Sequence, residues 1–227
     1  MLLGSTNPLA REHAEGALVR LSIENKNRVS IIKKLVTMLQ DPAAGGQEQA
    51  AAALANLARE SEDNRQSIVD ADGITPLIEL LEVASAKAKE NAVGAIKELC
   101  RNSKSNQFLV AKAGGIAKLV GVLSGFSANT VKEGTVVNLM TLSASAIKEM
   151  AKDNRFNQDA ITEAGAIGPL VSMLIAPHVA MQANAAGALA NLAHHHPDNQ
   201  GAIAKTCLLY TSPSPRDATL SRMPSSA

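Results

Sequence analysis

Pairs of residues spaced four positions apart recur along this chain and could bind a peptide backbone. Each pair has a small residue followed by a polar or charged one, and three of the five second residues are Asn. Residues four apart lie on one face of a helix. The pairs are Gly16 with Arg20, Ala52 with Asn56, Gly94 with Glu98, Gly134 with Asn138, and Gly187 with Asn191.

The Asn side chains suit a partner that presents its main chain. An Asn amide donates and accepts hydrogen bonds at once, so a row of amides could bind the backbone of an extended peptide whatever its side chains are. We therefore predict that Asn56, Asn138 and Asn191 form a ladder that binds a partner peptide. The alternative is that these amides bond the backbone of the neighbouring repeat and fix the stacking.

Charged and small residues accompany this ladder. Arg20 and Glu98 interrupt it with opposite charges, and Arg59, Arg101 and His194 lie near the predicted helix ends. We expect them to form a solvated face with weak ion pairs, with partner selectivity as the alternative. Gly costs roughly 0.5–1 kcal/mol relative to Ala in a helix interior. The glycines therefore indicate close helix approach or repeat ancestry, or else a groove kept open for a bulky partner.

The elements that position these residues recur about every 42 positions. An Asn, a turn with Gly, a Leu-rich run and an Ala-rich segment repeat, as in the runs that begin at Asn64, Asn106 and Asn157. A fixed period in this range is typical of stacked solenoids, and few aromatic residues favour close-packed helices. The sequence therefore predicts an all-α chain.

The repeat from Glu62 to Arg101 predicts three helices. Asp63 or Asn64 is expected to cap a short first helix, and Gly73 to end it in the left-handed conformation. The second and third helices are predicted from apolar residues at helical spacing. Their expected core residues are Ile74, Leu77, Ile78, Leu80 and Leu81, then Ala88, Ala92, Ala95, Ile96 and Leu99.

This arrangement resembles the armadillo repeat. The Asn, the Gly-Ile turn and the Ala-Leu-Asn-Leu segment carry the resemblance, and Asn64 to Leu99 and Asn157 to Leu192 are both 35 residues. The resemblance covers about Pro8 to Lys205. It implies an armadillo-type right-handed α-solenoid superhelix with three helices per repeat, and a two-helix HEAT-type solenoid is the structural alternative.

We expect an armadillo-repeat region at 1–206 that contains irregular repeats. The predicted repeats are 25–59, 62–101, 104–142 and 153–193, with partial repeats at 8–22 and 197–206. The repeat at 25–59 lacks about five residues at its Gly turn, so one fused helix is predicted there. An insertion is predicted at 143–154 as a longer linker, or as an extension of the following first helix. A second register, ranked lower, places Met150 at the terminal Leu position and loses the match of Gly134 and Asn138.

The segment 207–227 differs from the repeats in period and composition. It resembles a translated sequencing adapter, and we predict an artefactual disordered tail, with a natural Ser/Pro-rich tail as the alternative. Both ends of the repeat region are expected to be broken edges of a larger protein, because solenoids usually close with capping repeats. Without the tail, acidic and basic residues are equal in number, so we expect no attraction to nucleic acid or membranes.

The resemblance to armadillo proteins implies a function. Their third helices line a concave groove that holds an extended peptide or a partner segment. We therefore predict a protein-protein interaction scaffold in the cytoplasm, the nucleus or both, whose partner is a protein or peptide. The alternatives are the substrate-recognition fragment of an armadillo-containing ubiquitin ligase and an importin-α-like nuclear import adaptor. Importin-α-like receptors carry Trp four residues before the groove Asn, where this chain has Gly or Ala.

No motif in the sequence predicts catalysis, a cofactor, a metal, a small-molecule substrate or a membrane span. His194, His195 and His196 are adjacent, so on a helix they point about 100 degrees apart and do not converge on one ion. We expect a polar run before the turn at Pro197 and a small buried core residue at Cys100.

Overall fold

The computed structural model describes residues 9–10, 13–14, 16–17, 25–41, 46–125 and 134–211, and these contain helices and turns but no strand. The all-α prediction is confirmed. Arg20 lies outside the described residues, as do most of the partial repeat at 8–22 and the tail beyond Thr211. In chain order the helices are α1 (Asn25–Leu39), α2 (Gln47–Glu60), α3 (Glu62–Asp70), α4 (Ile74–Val83), α5 (Ala86–Cys100), α6 (Lys104–Lys112), α7 (Gly115–Ser124), α8 (Gly134–Ala151), α9 (Arg155–Glu163), α10 (Ile167–Met173), α11 (Val179–Ala193) and α12 (Pro197–Thr211).

From α3 to α11 the helices group into three-helix repeats that stack in one direction, with the fused helix α1 and α2 before them. The third helices α2, α5, α8 and α11 pack against one another in series, and each second helix packs on the third helix of its own repeat. The core lies between these layers and consists of Leu, Ile, Val, Met and Ala side chains. All ten core residues predicted for the repeat from Glu62 to Arg101 are buried, so that prediction is confirmed.

Two irregularities at the ends of the repeat region are now defined. Helix α1 runs unbroken from Asn25 to Leu39, as the missing turn predicts, and it buries Ile32 and Leu35 against the core. Helix α12 continues through Thr211. The first five residues of the predicted tail, 207–211, are therefore helical and not disordered.

The caps of the first helices differ from the sequence prediction. Ser61, and not Asp63 or Asn64, caps α3, because its hydroxyl accepts a hydrogen bond from the Asn64 amide at 3.1 Å. Asp72, with φ of 57°, takes the left-handed position after α3, whereas Gly73 has φ of −72°. Gly73 is required for another reason: a Cβ there would lie 2.8 Å from Ile68 Cγ2 and 2.9 Å from the Ile68 carbonyl oxygen.

A buried Asn at the start of each first helix fixes where the preceding third helix ends. Its Nδ2 donates to the carbonyl oxygen seven residues earlier, at 2.9–3.0 Å in four successive repeats. The bonds are Asn64 to Leu57, Asn106 to Leu99, Asn157 to Met150 and Asn199 to Leu192. Met150 therefore occupies the position that Leu holds in the other repeats.

This register corrects the predicted insertion. Helix α8 runs without a break to Ala151, and Ile147 and Met150 are fully buried, so 143–154 contains the end of a third helix. It is neither a longer linker nor an extension of the following first helix. The repeat predicted to end at residue 142 ends with α8 instead. Asn106 and Met150 are 44 residues apart against 35 for Asn64 and Leu99, so nine extra residues precede the second half of α8.

In the described ranges, no single helix is long and apolar enough to cross a membrane, although α6 and α7 meet that test as a pair bent by 76°. Cys100 is fully buried, which confirms the predicted core position. Burial, with a smaller contribution from Glu149, raises the pKa of its thiol far above the ordinary value.

Candidate functional site

The third helices place four sets of equivalent residues on one surface, which we call the third-helix face. The sets are counted from the terminal apolar residue of each helix, and the spacing of three and four positions among the residues before it puts those on one helix side. Five positions before it lie Ala52, Gly94, Ser145 and Gly187; two before, Ala55, Lys97, Lys148 and Ala190; one before, Asn56, Glu98, Glu149 and Asn191; and two after, Arg59, Arg101, Lys152 and His194.

The predicted ladder is wrong at α8. Glu149, and not Asn138, is equivalent to Asn56 and Asn191, because the bond from Asn157 to Met150 sets the register. Asn138 is exposed in the first half of α8. Gly134 is the first residue of that helix. The structure therefore does not bring Asn138 and Gly134 to the other predicted site residues.

Both remaining Asn side chains have one polar atom engaged inside the protein. Asn191 Nδ2 donates to the Lys148 carbonyl oxygen at 2.8 Å, which is the inter-repeat bond of the alternative interpretation. Asn56 Oδ1 accepts from an Arg59 guanidinium nitrogen at 3.0 Å. A comparable bond joins the first turns of the third helices, where Asn91 Nδ2 donates to the Glu48 carbonyl oxygen at 3.1 Å. The Asn191 and Asn91 amides therefore link neighbouring third helices, whereas the Asn56 bond lies within α2. Asn56 and Asn191 each leave one side-chain polar atom for other partners.

Glu98 is the centre of a charged cluster, and the expected solvated face is wrong at this position. The residue is 3% exposed and faces three cations: Lys97 Nζ is 2.7 Å and Arg59 Nε 3.8 Å from Oε1, and Arg101 Nε is 3.3 Å from Oε2. Oε2 is buried and accepts no hydrogen bond from any described residue. An Arg101 guanidinium nitrogen also donates to the Arg59 carbonyl oxygen at 3.1 Å, linking two repeats. We call these four residues the Glu98 cluster.

Two buried Gln side chains, which the sequence interpretation missed, hold the third helices in register. Gln107 Nε2 donates to the Glu149 carbonyl oxygen, and Gln158 Nε2 to the Asn191 carbonyl oxygen, both at 2.8 Å. Their exposed fractions are 2% and 3%. Each follows the buried Asn of its first helix, so the recurring Asn-Gln pair was the available signal. The backbone under the third-helix face is thus fixed before any partner binds.

The four glycines predicted to lie at the site differ in what surrounds them. A Cβ at Gly94 would lie 3.8 Å from Ala55 Cβ, an ordinary contact, and one at Gly16 or Gly134 would meet nothing within 4 Å. A Cβ at Gly187 would lie 2.7 Å from Lys148 Cδ. Close approach therefore accounts for Gly187, where the Lys148 stem crosses the helix, but not for Gly94.

The three histidines do not form the predicted polar run. His196 is 1% exposed and caps α12, because its Nδ1 accepts from the Asn199 amide at 3.3 Å while Nε2 lies 2.7 Å from Asp159 Oδ1. That hydrogen bond, assisted by the Arg155 charge, lowers the pKa of Asp159 below its ordinary value of 3.8. His194 is exposed, with Nδ1 3.7 Å from Asp153 Oδ1. Within the described ranges no group of three His, Cys, Asp or Glu side chains could hold a metal ion.

Comparisons with known proteins agree with this geometry. The family model for Armadillo/beta-catenin-like repeats matches residues 28–59, 61–101 and 153–194, together more than half of the chain. No curated protein sequence matches this chain significantly.

Three designed proteins are similar in structure. Computationally designed armadillo repeat proteins for modular peptide recognition are 26% identical, with a TM-score of 0.73 over 92% of this chain and 87% of the other. A further designed armadillo repeat protein is 24% identical, with a TM-score of 0.74 over 94% and 91% of the two chains. A third, in complex with a (KR)4 peptide, is 22% identical, with a TM-score of 0.72 over 96% and 92%.

Proposed function

Because this chain belongs to the Armadillo/beta-catenin-like repeat family, we propose that it is a scaffold that holds an extended segment of a partner protein against the third-helix face. The observation that carries the proposal is the repetition of the same four positions on α2, α5, α8 and α11, one repeat apart. Repeating positions match a ligand that itself repeats, and an extended peptide backbone is such a ligand. The likeness to armadillo proteins designed for modular peptide recognition supports it.

The spacing of the helices sets the length of peptide that this face could bind. Packed helices lie about 8–10 Å apart. An extended chain advances roughly 3.3 Å per residue, so two or three peptide residues would pass each third helix. A peptide of about ten residues would therefore cross all four.

The polar atoms of the third-helix face suit a peptide backbone. Within the described part of the chain, Asn56 Nδ2 donates no hydrogen bond and Asn191 Oδ1 accepts none. Asn56 Nδ2 is therefore available to a peptide carbonyl, and Asn191 Oδ1 to a peptide amide. Glu149 supplies a further acceptor on α8. Since the Gln107 and Gln158 bonds already fix the helices, little ordering entropy of the scaffold opposes binding.

The corrected register bears on the nuclear import alternative. Ser145 takes the place of Gly134, so the four described third helices still have a small residue where importin-α-like receptors carry Trp. This favours a different partner class. The ubiquitin-ligase alternative and the intracellular location stay predictions.

A matched pair of substitutions on α8 tests the proposal. Ser145→Trp places a large side chain on the third-helix face, whereas Asn138→Trp places it at an exposed position in the first half of the same helix. We expect Ser145→Trp to weaken the binding of fluorescein-labelled decapeptides at least tenfold by fluorescence anisotropy, and Asn138→Trp to change it less than twofold. The peptides are (Glu-Ala)5, (Gln-Ala)5 and (Lys-Ala)5, and circular dichroism confirms the fold of both variants.

Two results would contradict the scaffold proposal. The first is that none of the three peptides binds the unsubstituted chain at concentrations up to about 1 mM. The second is that Asn138→Trp weakens binding as much as Ser145→Trp, since the face defined by the register would then not be the binding surface.

A further inference from the structure

The third-helix face concentrates positive charge that the chain as a whole does not have. The entire sequence carries 22 basic and 21 acidic residues. Among the four sets of equivalent positions, however, five residues are Lys or Arg and two are Glu. The basic residues are Arg59, Lys97, Arg101, Lys148 and Lys152, and the acidic residues are Glu98 and Glu149.

Burial in the Glu98 cluster separates the charges by sign. The Glu98 side chain is 4% exposed, whereas those of Lys97, Arg101 and Arg59 are 23%, 40% and 56% exposed. The single carboxylate lies beneath three cations that reach solvent. One negative charge cannot neutralise three positive ones, so the Glu98 cluster itself carries an excess of two positive charges.

The two guanidinium groups are held in place but not saturated. Arg59 uses one terminal nitrogen on Asn56 Oδ1, and Arg101 uses one on the Arg59 carbonyl oxygen. A guanidinium has five N–H donors, and within the described residues the other terminal nitrogen of each makes no hydrogen bond. The free terminal nitrogen of each guanidinium can donate to a carboxylate oxygen in a charge-assisted hydrogen bond. The cluster is therefore prepared to take a second carboxylate from outside.

The next repeat offers a similar, weaker position. Lys148 on α8 and Lys152 just after it lie one residue before and three residues after Glu149, so two cations accompany one carboxylate along the chain. Lys148 stays near the face because its stem lies over Gly187, and Lys152 Nζ donates to Asn102 Oδ1 at 3.2 Å. Cations on successive third helices would meet acidic side chains spaced two or three residues apart on an extended peptide.

We propose that the third-helix face selects an acidic peptide, one of whose carboxylates binds between Arg59, Lys97 and Arg101. The proposal rests on the groove function proposed above and adds the chemical class of the partner. Like charges brought together across an interface oppose binding, so a basic peptide is excluded by the same residues. The buried Glu98 carboxylate competes with the ligand for these cations and limits its affinity.

The three decapeptides above measure this preference directly. The (Glu-Ala)5 peptide is expected to bind about tenfold tighter than (Gln-Ala)5, which corresponds to about 1.4 kcal/mol, and (Lys-Ala)5 more weakly than either. At about 1 M salt the screening length falls to roughly 3 Å, and the preference should drop below about threefold.

Two substitutions in the Glu98 cluster are expected to change the affinity for (Glu-Ala)5 in opposite directions. Arg101→Gln should weaken (Glu-Ala)5 binding about tenfold and leave (Gln-Ala)5 within twofold, whereas Lys112→Gln on α6 removes the same charge away from the face and should change neither. Glu98→Gln should tighten (Glu-Ala)5 binding severalfold, because the cations lose their internal anion. A gain of affinity cannot result from a damaged fold, so this variant keeps the proposal testable if Arg101→Gln is unstable.

The outcomes separate this inference from the scaffold proposal. If (Gln-Ala)5 or (Lys-Ala)5 binds as tightly as (Glu-Ala)5, or if Glu98→Gln leaves the affinity for (Glu-Ala)5 unchanged or lowers it, the acidic selectivity is overturned while groove binding stands. If no peptide of any charge binds, the scaffold proposal itself fails, and the inference with it.

Discussion

Replacing Gly94 by Ala is expected to stabilise this protein, although Gly94 is buried on the third-helix face. Gly in a helix interior is about 1 kcal/mol less favourable than Ala, because Gly has more backbone freedom to lose on folding. The new methyl group would lie 3.8 Å from Ala55 Cβ, the nearest neighbouring atom, so no steric cost opposes this gain. We expect the free energy of unfolding to rise by about 1 kcal/mol and the Tm by roughly 2–4 °C.

Gly187 provides the matched comparison at the equivalent position of α11. The helix gain is the same, but the new Cβ would lie 2.7 Å from Lys148 Cδ, so the lysine stem must move. The net change for Gly187→Ala should therefore be smaller than for Gly94→Ala. In a Lys148→Ala background the clash is absent, and Gly187→Ala should then stabilise by about 1 kcal/mol.

Urea unfolding followed by circular dichroism at 222 nm measures all four variants against the unsubstituted chain. A lower midpoint for Gly94→Ala would refute the reasoning, because it would mean that α2 and α5 approach too closely for a methyl group. Equal gains for Gly94→Ala and Gly187→Ala would show that Lys148 does not lie over Gly187.

Two other predictions concern the bonds that set the register. Asn157→Ala should lower the free energy of unfolding by about 1–3 kcal/mol, because it leaves the buried Met150 carbonyl without its donor. Asn138→Ala, at an exposed position, should change it by less than about 0.5 kcal/mol. Equal urea midpoints for the two variants would contradict the register. Because the pKa of Asp159 in the folded protein lies below its ordinary value of 3.8, the ionised carboxylate stabilises the fold above pH 3.8. This contribution is lost as the pH falls through the lower folded pKa. Asp159→Asn should therefore reduce the difference in stability between pH 6 and pH 2.5. An unchanged difference in thermal melts at the two pH values would count against the bond to His196.

Much of this fold could be predicted from the sequence because each element is specified locally. The apolar spacing around Leu77 and Leu99 defines the second and third helices, and both residues are fully buried. The fused helix α1 followed from counting residues between recurring positions. These features depend on period and composition, which one repeat shares with the next.

The register of α8 could not be predicted by matching residue types. Asn138 and Leu139 have the same residue types as the Asn-Leu ends of α2 and α11. At the true end of α8, Met150 takes the position of the terminal Leu and Glu149 takes the position of the Asn. A constant spacing of seven residues to the next buried Asn was the better signal, since the hydrogen bond between the two positions fixes that distance.

The Glu98 cluster was beyond prediction for a different reason. Arg59 and Glu98 are 39 residues apart in sequence, and only the packing of α2 against α5 brings them together. The sequence predicts that both lie on third helices, but not that one is buried under the other. The burial of Glu98 and the positive charge of the third-helix face could therefore be determined only from the structure.

The most direct test of the central claim is photo-crosslinking from two positions of α8. A p-benzoylphenylalanine in place of Ser145 lies on the third-helix face, and one in place of Asn138 lies at an exposed position in the first half of the same helix. With labelled (Glu-Ala)5 we expect a crosslinked product from position 145 that excess unlabelled peptide suppresses, and none from position 138. Crosslinking from position 138 alone, or equally from both, would contradict it.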